Sequence, residues 1–506
     1  MRRLATVMVF ILGILVVAAA KPQVVVIGSD GPAAKRLSRL QRAVVIDIDG
    51  LGRDTLYGLL AEEPETIPNI HSLIGDVAWD SASDCYRFYG AAGVNRATTV
   101  LPSVTLPSQL AILTGRWPAN HGIPANAWFS RLLAAEIDAE DLLEAILGDV
   151  FRKDSSETLL HLIAREGVSA AYFFDPVAMV RHDKIAIDPV AFDTAMTTAV
   201  LSLVNRIGLP MLLIIYYPGN DIQSHNHGVQ TQRAYLQEIL DPLIGRLLHG
   251  DGKADGEGLK GFLQLQPDLL ETTLFVFCAD HGHVNVTQDG GHAIGTAMLN
   301  GHLAAAGYEA GQNAVYVPNG GAGLLYLKNR ALGNWARPRA REDVLAAAHA
   351  LTAMAQQNPS PVDFFLVRVG GQGDGRAYRV MDPSTGRLYP PSLFFLMRKR
   401  SGQDYPYAVR RIHGADPNKL GDIVIFPNRT DGFTCAEGSG VASDHGSLGA
   451  AESYVPMIFA GGGVVPGTIT RGRNIDIAPT VAQALQLRWA WRNADGRTLP
   501  INGWLW

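Results

Sequence analysis

Residues Val100 to Asn126 read VLPSVTLPSQLAILTGRWPANHGIPAN, and the organisation of the rest of the chain can be worked out from this stretch. An apolar run from Leu110 to Leu113 predicts a short helix, which ends at Gly115. Pro107 has no N–H to donate, so it suits the first turn of that helix. The pattern therefore predicts that Thr105 lies at the helix entrance.

The position of Thr105 suggests a chemical role. The first backbone N–H groups of a helix are unpaired, and the positive end of its dipole favours an anion. A hydroxyl held beside such an anion site is a candidate nucleophile, if its pKa is lowered. The alternative is an ordinary N-cap threonine, and this stretch alone does not decide between the two.

The N-terminus has the pattern of an export signal. Arg2 and Arg3 precede an apolar run from Leu4 to Val17, and small residues follow at 18–20. This order predicts a cleaved signal peptide over residues 1–20 and a periplasmic or secreted protein. An uncleaved anchor is the alternative, but the run is short for a bilayer span of about 20 residues. No other segment predicts a membrane span.

The composition excludes some functions. The chain has 506 residues, of which 47% are hydrophobic and 18% charged, and this is typical of a large globular protein. The formal net charge is −5, and there is no long basic run. The sequence therefore predicts no nucleic-acid-binding surface. It leaves the oligomeric state open.

Three cysteines are present. Cys278 lies in an apolar run and is predicted to be a buried core thiol. Cys85 and Cys435 lie in polar contexts, and export would permit a disulfide between them, which we expect. No CxxC motif occurs, so a zinc site built from cysteines is disfavoured.

Apolar runs alternate with amphipathic helical patterns along the chain. The runs predict buried strands at Ala43 to Ile48, Ala170 to Phe174, Met211 to Tyr217, Thr273 to Ala279 and Val455 to Ala460. The helical patterns lie at Asp141 to Leu147, Glu157 to Glu166, Phe192 to Ile207, Arg233 to Leu248 and Asp343 to Gln356. This alternation predicts a doubly wound α/β fold, with a mainly parallel sheet between helices.

The character of the sequence changes from about residue 300 to residue 422, where glycine, proline and arginine are frequent. This change predicts an insertion or cap on the core. The resulting division has a signal peptide at 1–20, an N-terminal linker at 21–41, a core at 42–299 and 423–506, and the insertion at 300–422.

Metal-ligand residues follow several of the predicted strands. They are Asp49, Asp221 with His225 four residues later, the pair Asp280-His281, and His445 in a Ser-Asp-His-Gly segment. In open α/β sheets, ligands bind beyond the carboxyl ends of the strands. A mixed set of oxygen and nitrogen ligands suits Zn²⁺ or a similar ion better than Mg²⁺.

Each of these features has a simpler explanation when it is taken alone. Asp49-Gly50 is a common turn sequence, and Asp221 with His225 only shares a helix face. Asp280-His281-Gly282 is more specific, because two ligand types precede a glycine. Their occurrence together favours a metal site. His283, His292 and His413 are left unassigned.

With these residues in place, the chain resembles the alkaline phosphatase superfamily, and most closely its type I phosphodiesterase/nucleotide pyrophosphatase branch. The matching segments are Asp49-Gly50, Pro102 to Gly122 with Asn126, Asp221-xxx-His225, Asp280-His281-Gly282 and His445-Gly446. The resemblance covers about residues 42–130, 210–285 and 440–485. It does not cover the middle insertion.

The resemblance implies two divalent metal ions, expected to be Zn²⁺, and a small-molecule phosphate ester as substrate. One ion would be held by Asp221, His225 and His445. The other would be held by Asp49, Asp280, His281 and the oxygen of Thr105. Thr105 would be the nucleophile and form a phosphothreonine, while Asn126 and the Thr105 backbone N–H bind a phosphoryl oxygen.

Two departures from the family pattern concern the substrate. Leu106 stands where nucleotide-cleaving relatives carry an aromatic residue, and Ser108 stands where they carry asparagine. No charged side chain follows Thr105 closely, so the sequence predicts a preference for phosphate diesters over monoesters. Arg410 and Arg411 of the insertion remain possible sources of positive charge, which would favour a phosphomonoesterase.

The sequence gives less support to two other classes of function, a sulfatase and a non-catalytic metal-binding protein. The segment from Thr105 to Gln109 also resembles a sulfatase motif, with threonine in place of cysteine and glutamine in place of arginine. Threonine does not become formylglycine, and sulfatases use one Ca²⁺ with mostly oxygen ligands. A non-catalytic metal-binding protein would be expected to lack a ligand, and none is missing.

Overall fold

The computed structural model describes residues 23–27, 40–138, 158–165, 169–174, 188–252, 258–336, 341–370, 377–438, 440–487 and 494–501. The predicted signal peptide and the predicted helix from Asp141 to Leu147 lie outside these residues. Within the described part of the chain, no helix combines the length and the hydropathy that a bilayer crossing requires.

The strands are numbered in chain order. They are β1 Gln23–Ile27, β2 Arg42–Ile48, β3 Val77–Asp80, β4 Cys85–Phe88, β5 Ala92–Thr98, β6 Ala127–Ser130, β7 Ala135–Asp138, β8 Ala170–Phe174, β9 Leu212–Tyr217, β10 Thr273–Cys278, β11 Val284–Asn285, β12 Ala314–Asn319, β13 Ala322–Leu327, β14 Val362–Arg368, β15 Tyr378–Asp382, β16 Arg387–Tyr389, β17 Ile423–Pro427, β18 Ser443–Asp444, β19 Tyr454–Val455, β20 Met457–Gly461 and β21 Gly467–Arg473.

The helices are referred to by their bounds. They are Arg53–Glu62, Pro68–Ile74, Thr105–Thr114, Pro118–His121, Leu159–Arg165, Pro189–Ile207, Gly219–His227, Gln232–Tyr235, the π-helical turn Leu236–Leu240, Asp241–His249, Phe262–Leu265, Leu269–Thr272, Thr296–Leu303, Arg341–Leu351, Pro391–Arg400, Ala408–Gly414, Ala450–Ser453 and Ile477–Ala484.

The main sheet has nine strands in the order β1-β8-β9-β2-β10-β20-β5-β19, with β21 paired to β5. Strands β8, β9, β2, β10, β5 and β21 run in one direction, and β1, β20 and β19 run against them. Helices pack on the sheet, among them Pro189–Ile207 against β8 and β9. The predicted α/β class, with a mostly parallel sheet flanked by helices, is confirmed.

One central strand was not predicted. Strand β5, with the sequence AGVNRAT, lies between β20 and β21 although it has no continuous apolar run. A Cβ at Gly93 would meet the ring of Phe88 at 2.2 Å, so this position excludes a side chain. Asn95 is buried because its side-chain oxygen accepts from the Tyr86 N–H at 3.0 Å. Local packing, rather than hydrophobicity, therefore fixes the composition of this strand.

A second sheet of six strands has the order β12-β13-β17-β14-β15-β16. One face joins the main core, and the other packs with the helices Thr296–Leu303 and Arg341–Leu351 in a separate apolar cluster. Strand β17 lies inside this sheet, although the sequence division assigned its residues to the core. The border at residue 422 is therefore corrected, because chain position does not reveal strand partners.

Part of the predicted N-terminal linker is also corrected. Strand β1 lies within residues 21–41 and pairs antiparallel with β8 at the edge of the main sheet. Its sequence, QVVVI, is β-branched and apolar, which suits a strand. This segment therefore belongs to the sheet.

The predicted disulfide between Cys85 and Cys435 is wrong, since all three cysteines are free thiols. Cys435 is buried in the apolar cluster beneath the second sheet, where its Sγ donates to the Ile425 carbonyl at 3.7 Å. Cys85 begins β4, in a hairpin with β3. The two residues belong to different layers of the molecule. Cys278 is buried, as its apolar run predicted.

Candidate metal centre

The predicted ligands converge because neighbouring parallel strands end at one edge of the sheet. Strands β9, β2 and β10 are adjacent and parallel. Asp49 follows β2, Asp280 and His281 follow β10, and Asp221 lies on the helix Gly219–His227 after β9. His445 lies just after the short strand β18. Parallel pairing therefore gathers residues that are far apart in sequence.

Asp49, Asp280 and His281 form the first group, and Thr105 lies against it. His281 Nε2 is 3.3 Å from Asp49 Oδ1 and 3.5 Å from Asp280 Oδ2. The same nitrogen is 3.2 Å from the hydroxyl oxygen of Thr105. All four side chains are buried. The structure thus brings together the complete set that the sequence assigned to one ion.

Hydrogen bonds leave one oxygen of each carboxylate in this group without a protein donor. Asp49 Oδ2 accepts from the Tyr216 hydroxyl, and Asp280 Oδ1 accepts from the Gly50 N–H at 3.1 Å. Asp49 Oδ1 and Asp280 Oδ2 have no hydrogen-bond partner among the described residues. Two buried carboxylate oxygens facing one imidazole are unfavourable without a cation. A divalent ion such as Zn²⁺ fits this donor set.

Asp221, His225 and His445 form the second group. His225 Nε2 lies 3.5 Å from Asp221 Oδ2, and His445 Nε2 lies 3.7 Å from Asp221 Oδ1. Asp221 and His225 share one face of the helix Gly219–His227, as their four-residue spacing predicted. This group also unites the residues that the sequence assigned to one ion.

The three imidazoles are oriented by backbone carbonyls. The Nδ1 atoms of His225, His281 and His445 lie 2.8 Å from Ser443 O, 3.3 Å from Gly282 O and 3.1 Å from Ser103 O. A carbonyl only accepts, so each Nδ1 carries the proton and donates. Each Nε2 then presents a lone pair toward the carboxylates, which is the usual arrangement of histidines that bind metals.

Burial shifts the acidity of these groups. Desolvation, with repulsion from Asp221 and Asp280, raises the pKa of Asp49 well above its usual value. Desolvation also lowers the pKa of His281 and holds that of His445 well below its usual value. The imidazoles are therefore neutral near pH 7, as metal ligands must be. Several carboxylates that lie close together in a buried site favour the binding of a cation.

Gly50 is required where the two groups meet. Its φ is +67°, and a Cβ would lie 2.7 Å from both Asp221 Oδ1 and His283 Nε2. Any larger residue would be strained in its backbone and would collide with Asp221 and His283. The Asp49-Gly50 sequence is therefore more than a turn.

The entrance of the helix Thr105–Thr114 lies beside the first group, as Pro107 predicted, and Gly115 ends the helix in a left-handed conformation. The side-chain oxygen of Asn126 accepts from the Leu106 N–H at 2.9 Å. This bond uses the oxygen and leaves the amide NH₂ of Asn126 as a donor. Thr105 and Asn126 are thus held on one helix entrance.

Two residues near the ligands were missed or left unassigned from sequence. His283 Nε2 lies 2.5 Å from Asp221 Oδ1, although nothing in the sequence separated this histidine from a surface one. Asp444 lies within reach of His225 and His445, but its oxygens accept from Thr434 and from the His445 N–H. His292, also left unassigned, pairs with Asp289 at the surface.

The mixed sheet, the ligand-bearing strand ends and the threonine at a helix entrance are the features of the alkaline phosphatase superfamily. Residues 43–428 match the family described as Type I phosphodiesterase / nucleotide pyrophosphatase. The chain belongs to this family, as the resemblance predicted, and it is therefore a phosphoric ester hydrolase. The match also spans residues 300–422, which the resemblance was expected not to cover.

Solved structures agree with this assignment of the fold. Murine ectonucleotide pyrophosphatase / phosphodiesterase 5 is similar with 15% sequence identity and a TM-score of 0.56, covering 89% of this chain and 96% of that chain. An inactive variant of that murine protein, with alanine replacing a threonine and in complex with AMP, matches at 14% identity with the same TM-score of 0.56. Coverage is again 89% of this chain and 96% of that chain. No curated protein sequence matches the chain.

Proposed function

We propose that this protein is an exported, zinc-dependent phosphodiesterase that acts through a covalent phosphothreonine at Thr105. The observation that carries the proposal is the contact of 3.2 Å between Thr105 Oγ1 and His281 Nε2, within the Asp49, Asp280 and His281 group. It places a buried hydroxyl against a ligand set at a helix entrance. In the murine neighbour, the inactive variant is one in which alanine replaces a threonine.

The chain's own residues supply most of the proposed chemistry. Thr105 Oγ1 bonds to phosphorus while the bond to the leaving oxygen breaks, and the hydroxyl proton passes through solvent to that oxygen. Water then bonds to phosphorus, the Oγ1–P bond breaks, one proton of the water returns to Oγ1, and a phosphate monoester is released. Divalent ions held by the two groups would lower the pKa of the hydroxyl and offset charge on the phosphoryl oxygens. The amide NH₂ of Asn126 donates to an equatorial oxygen.

The surroundings of Thr105 support a preference for diesters. Arg411, a possible source of extra charge, is fully buried, and its guanidinium donates to the Val100 carbonyl at 2.8 Å and to the hydroxyl of Ser453 at 2.5 Å. Arg410 is exposed and lines a groove with Lys399. A monoester dianion has more charge to offset than a diester, so this arrangement favours the diester.

The two residues that depart from the nucleotide-cleaving pattern support weak base specificity. Leu106 is 3% exposed and packs into the hydrophobic core. The Ser108 hydroxyl is buried and bonds the Thr99 hydroxyl at 2.8 Å. Neither side chain is available to contact a nucleotide base. We therefore propose a nucleotide pyrophosphatase-type mechanism without a strong demand for a nucleotide.

The substrate class can be tested on one zinc-loaded preparation. We would compare kcat/KM for bis-p-nitrophenyl phosphate, thymidine 5′-p-nitrophenyl phosphate and p-nitrophenyl phosphate. The proposal predicts that both diesters are cleaved faster than the monoester. If the monoester is preferred by more than about tenfold, or about 1.4 kcal/mol, the protein is instead a phosphomonoesterase of the same superfamily.

Export is proposed from residues 1–20 alone, because of their basic start, apolar run and small residues. Expression of the full chain in a bacterial host with a signal peptidase should give a mature protein that begins near residue 21. N-terminal sequencing of this product should find the shortened chain outside the cytoplasm. A product that still begins at Met1 and sediments with membranes would indicate an anchor instead.

A further inference from the structure

His283 is buried beside the metal-ligand groups, but it is outside both predicted ligand sets. Its side chain is 0% exposed and lies between Asp221 and Ser443. It comes two residues after His281, on the other side of Gly282. A buried histidine in contact with a candidate ligand needs a physical explanation.

His283 lies within reach of Asp221, His281 and His445, and its distance from Asp221 distinguishes it from a metal ligand. Two atoms that each lie about 2.0–2.1 Å from one tetrahedral ion are roughly 3.3 Å apart. The separation of His225 Nε2 from Asp221 Oδ2, 3.5 Å, is close to that value. His283 Nε2 lies only 2.5 Å from Asp221 Oδ1, which is a hydrogen-bond distance.

The other nitrogen of His283 is fixed by Ser443. The Ser443 hydroxyl donates its one proton to the carbonyl oxygen of Ser224 at 2.6 Å, because a carbonyl only accepts. The same hydroxyl lies 3.0 Å from His283 Nδ1 and must accept there. The ring of His283 is therefore anchored on Ser443 through Nδ1, and its Nε2 faces Asp221 Oδ1 at hydrogen-bond distance.

Ser443 contacts two imidazoles through different atoms. Its carbonyl oxygen is 2.8 Å from Nδ1 of His225, and its hydroxyl holds His283. Both rings turn their Nε2 atoms toward Asp221, one to each oxygen. Ser224, which receives the Ser443 proton, immediately precedes His225 on the same helix.

We propose that His283 is a positioning residue for the metal centre. Ser443 holds its ring, and His283 donates to Asp221 Oδ1 and so keeps Asp221 Oδ2 directed to the ion beside His225. The inference rests on the proposed metal-dependent function. Hydrogen-bond partners of metal ligands typically contribute 10–100-fold to metal affinity. Loss of the His283 donor should therefore lower the affinity for one of the two ions.

The test is a Zn²⁺ titration of the metal-free full-length protein in competition with a chromophoric chelator. His283→Ala should weaken one of two sites by 10–100-fold. His283→Gln keeps an N–H donor near the position of Nε2 and should stay within about fivefold of the wild type. His227→Ala, at an exposed histidine on the helix that carries Asp221, should have no effect.

Two results would overturn the inference. Unchanged affinity in His283→Ala would remove any role in the site, and equal losses in the alanine and glutamine variants would make His283 a direct ligand. If His283→Ala does not fold, Ser443→Ala carries the test, since it removes only the hydroxyl, and it should weaken one site by about tenfold. A wild-type protein that takes up fewer than two ions would instead contradict the proposed function.

Discussion

Asn126 connects the helix entrance to the proposed oxyanion site. Its contribution to the rate can be measured with a single substitution. Its oxygen accepts from the Leu106 N–H at 2.9 Å, which fixes the amide, and its NH₂ is its donor. Asn126→Ala should lower kcat by about 10²-fold, because one donor to the phosphoryl oxygen is lost. KM and zinc content should change little. A rate within threefold of the wild type would contradict the assigned role.

The sequence alone could identify Thr105, Asp49 and the Asp280-His281 pair as candidates, because turn chemistry and strand ends are local signals. His283 could not be identified. Its position depends on contacts with Asp221 and Ser443, which are 62 and 160 residues away in sequence. Such contacts exist only once the strands have paired.

At the scale of elements, Arg411 connects the helix Ala408–Gly414 to the loop before Thr105. Its guanidinium is buried and donates to the Val100 and Ser447 carbonyls and to the Ser453 hydroxyl. Arg411→Ala should lower the free energy of unfolding by about 3 kcal/mol or more, since buried acceptors lose their donor.

The neighbouring residue supplies a matched control. Arg410 is exposed, so Arg410→Ala should change the free energy of unfolding by less than about 0.5 kcal/mol. Urea unfolding of both variants would measure the difference. Equal stabilities would show that Arg411 does not hold the loop.

Asp193 gives a pH-dependent prediction for the helix Pro189–Ile207. Desolvation raises its pKa from 3.8 to about 7, although Tyr235 and the Gly219 N–H donate to it. The folded state therefore binds the proton more tightly than the unfolded state. Its contribution to stability is complete below about pH 4 and is lost as the pH rises to about 7, by roughly 4 kcal/mol.

Asp193→Asn removes this dependence. Its amide oxygen can accept from the Gly219 N–H, and its NH₂ can donate to the Tyr235 oxygen while the Tyr235 hydroxyl donates to the Pro189 carbonyl. The variant should unfold at higher urea than the wild type at pH 8 and should lose that advantage near pH 4. Urea midpoints measured at a series of pH values would check this. A difference that does not vary with pH would contradict the raised pKa.

The elements also show what pattern can and cannot predict. The strands β2, β8, β9 and β10 are apolar on both faces, so their sequences indicate buried parallel strands. Strand β5 is equally central, but its composition depends on tertiary contacts. Gly93 packs against the ring of Phe88, and Asn95 accepts a hydrogen bond from the Tyr86 N–H. The antiparallel course of β20 likewise has no signal in its own apolar run.

At the scale of the molecule, two buried ligand groups should make stability depend on metal. Ions that bind only the folded protein raise its free energy of unfolding by about 2.7 kcal/mol at a concentration of 100 Kd. We expect two zinc ions per chain, loss of activity and a lower Tm after chelation, and recovery on adding Zn²⁺. Elemental analysis would measure the zinc content, and calorimetry would measure the Tm before and after chelation. One ion or none after zinc loading would exclude the two-ion site.

The border of the insertion shows what composition cannot predict about the whole molecule. Composition located a change near residue 300, but strand β17 returns to the middle of the second sheet after the predicted end at 422. Strand order is set by non-local pairing, which composition does not encode. The fold class could be predicted because it depends on alternation, whereas this border could not.

The central claim is that Thr105 carries the phosphoryl group during turnover. The most direct measurement is an acid quench of the zinc-loaded protein during hydrolysis of bis-p-nitrophenyl phosphate, followed by peptide mass mapping. We expect an adduct on Thr105 that retains one p-nitrophenyl ester, and neither an adduct nor turnover in a folded, zinc-binding Thr105→Ala variant. An adduct on another residue, or wild-type turnover in Thr105→Ala, would contradict it.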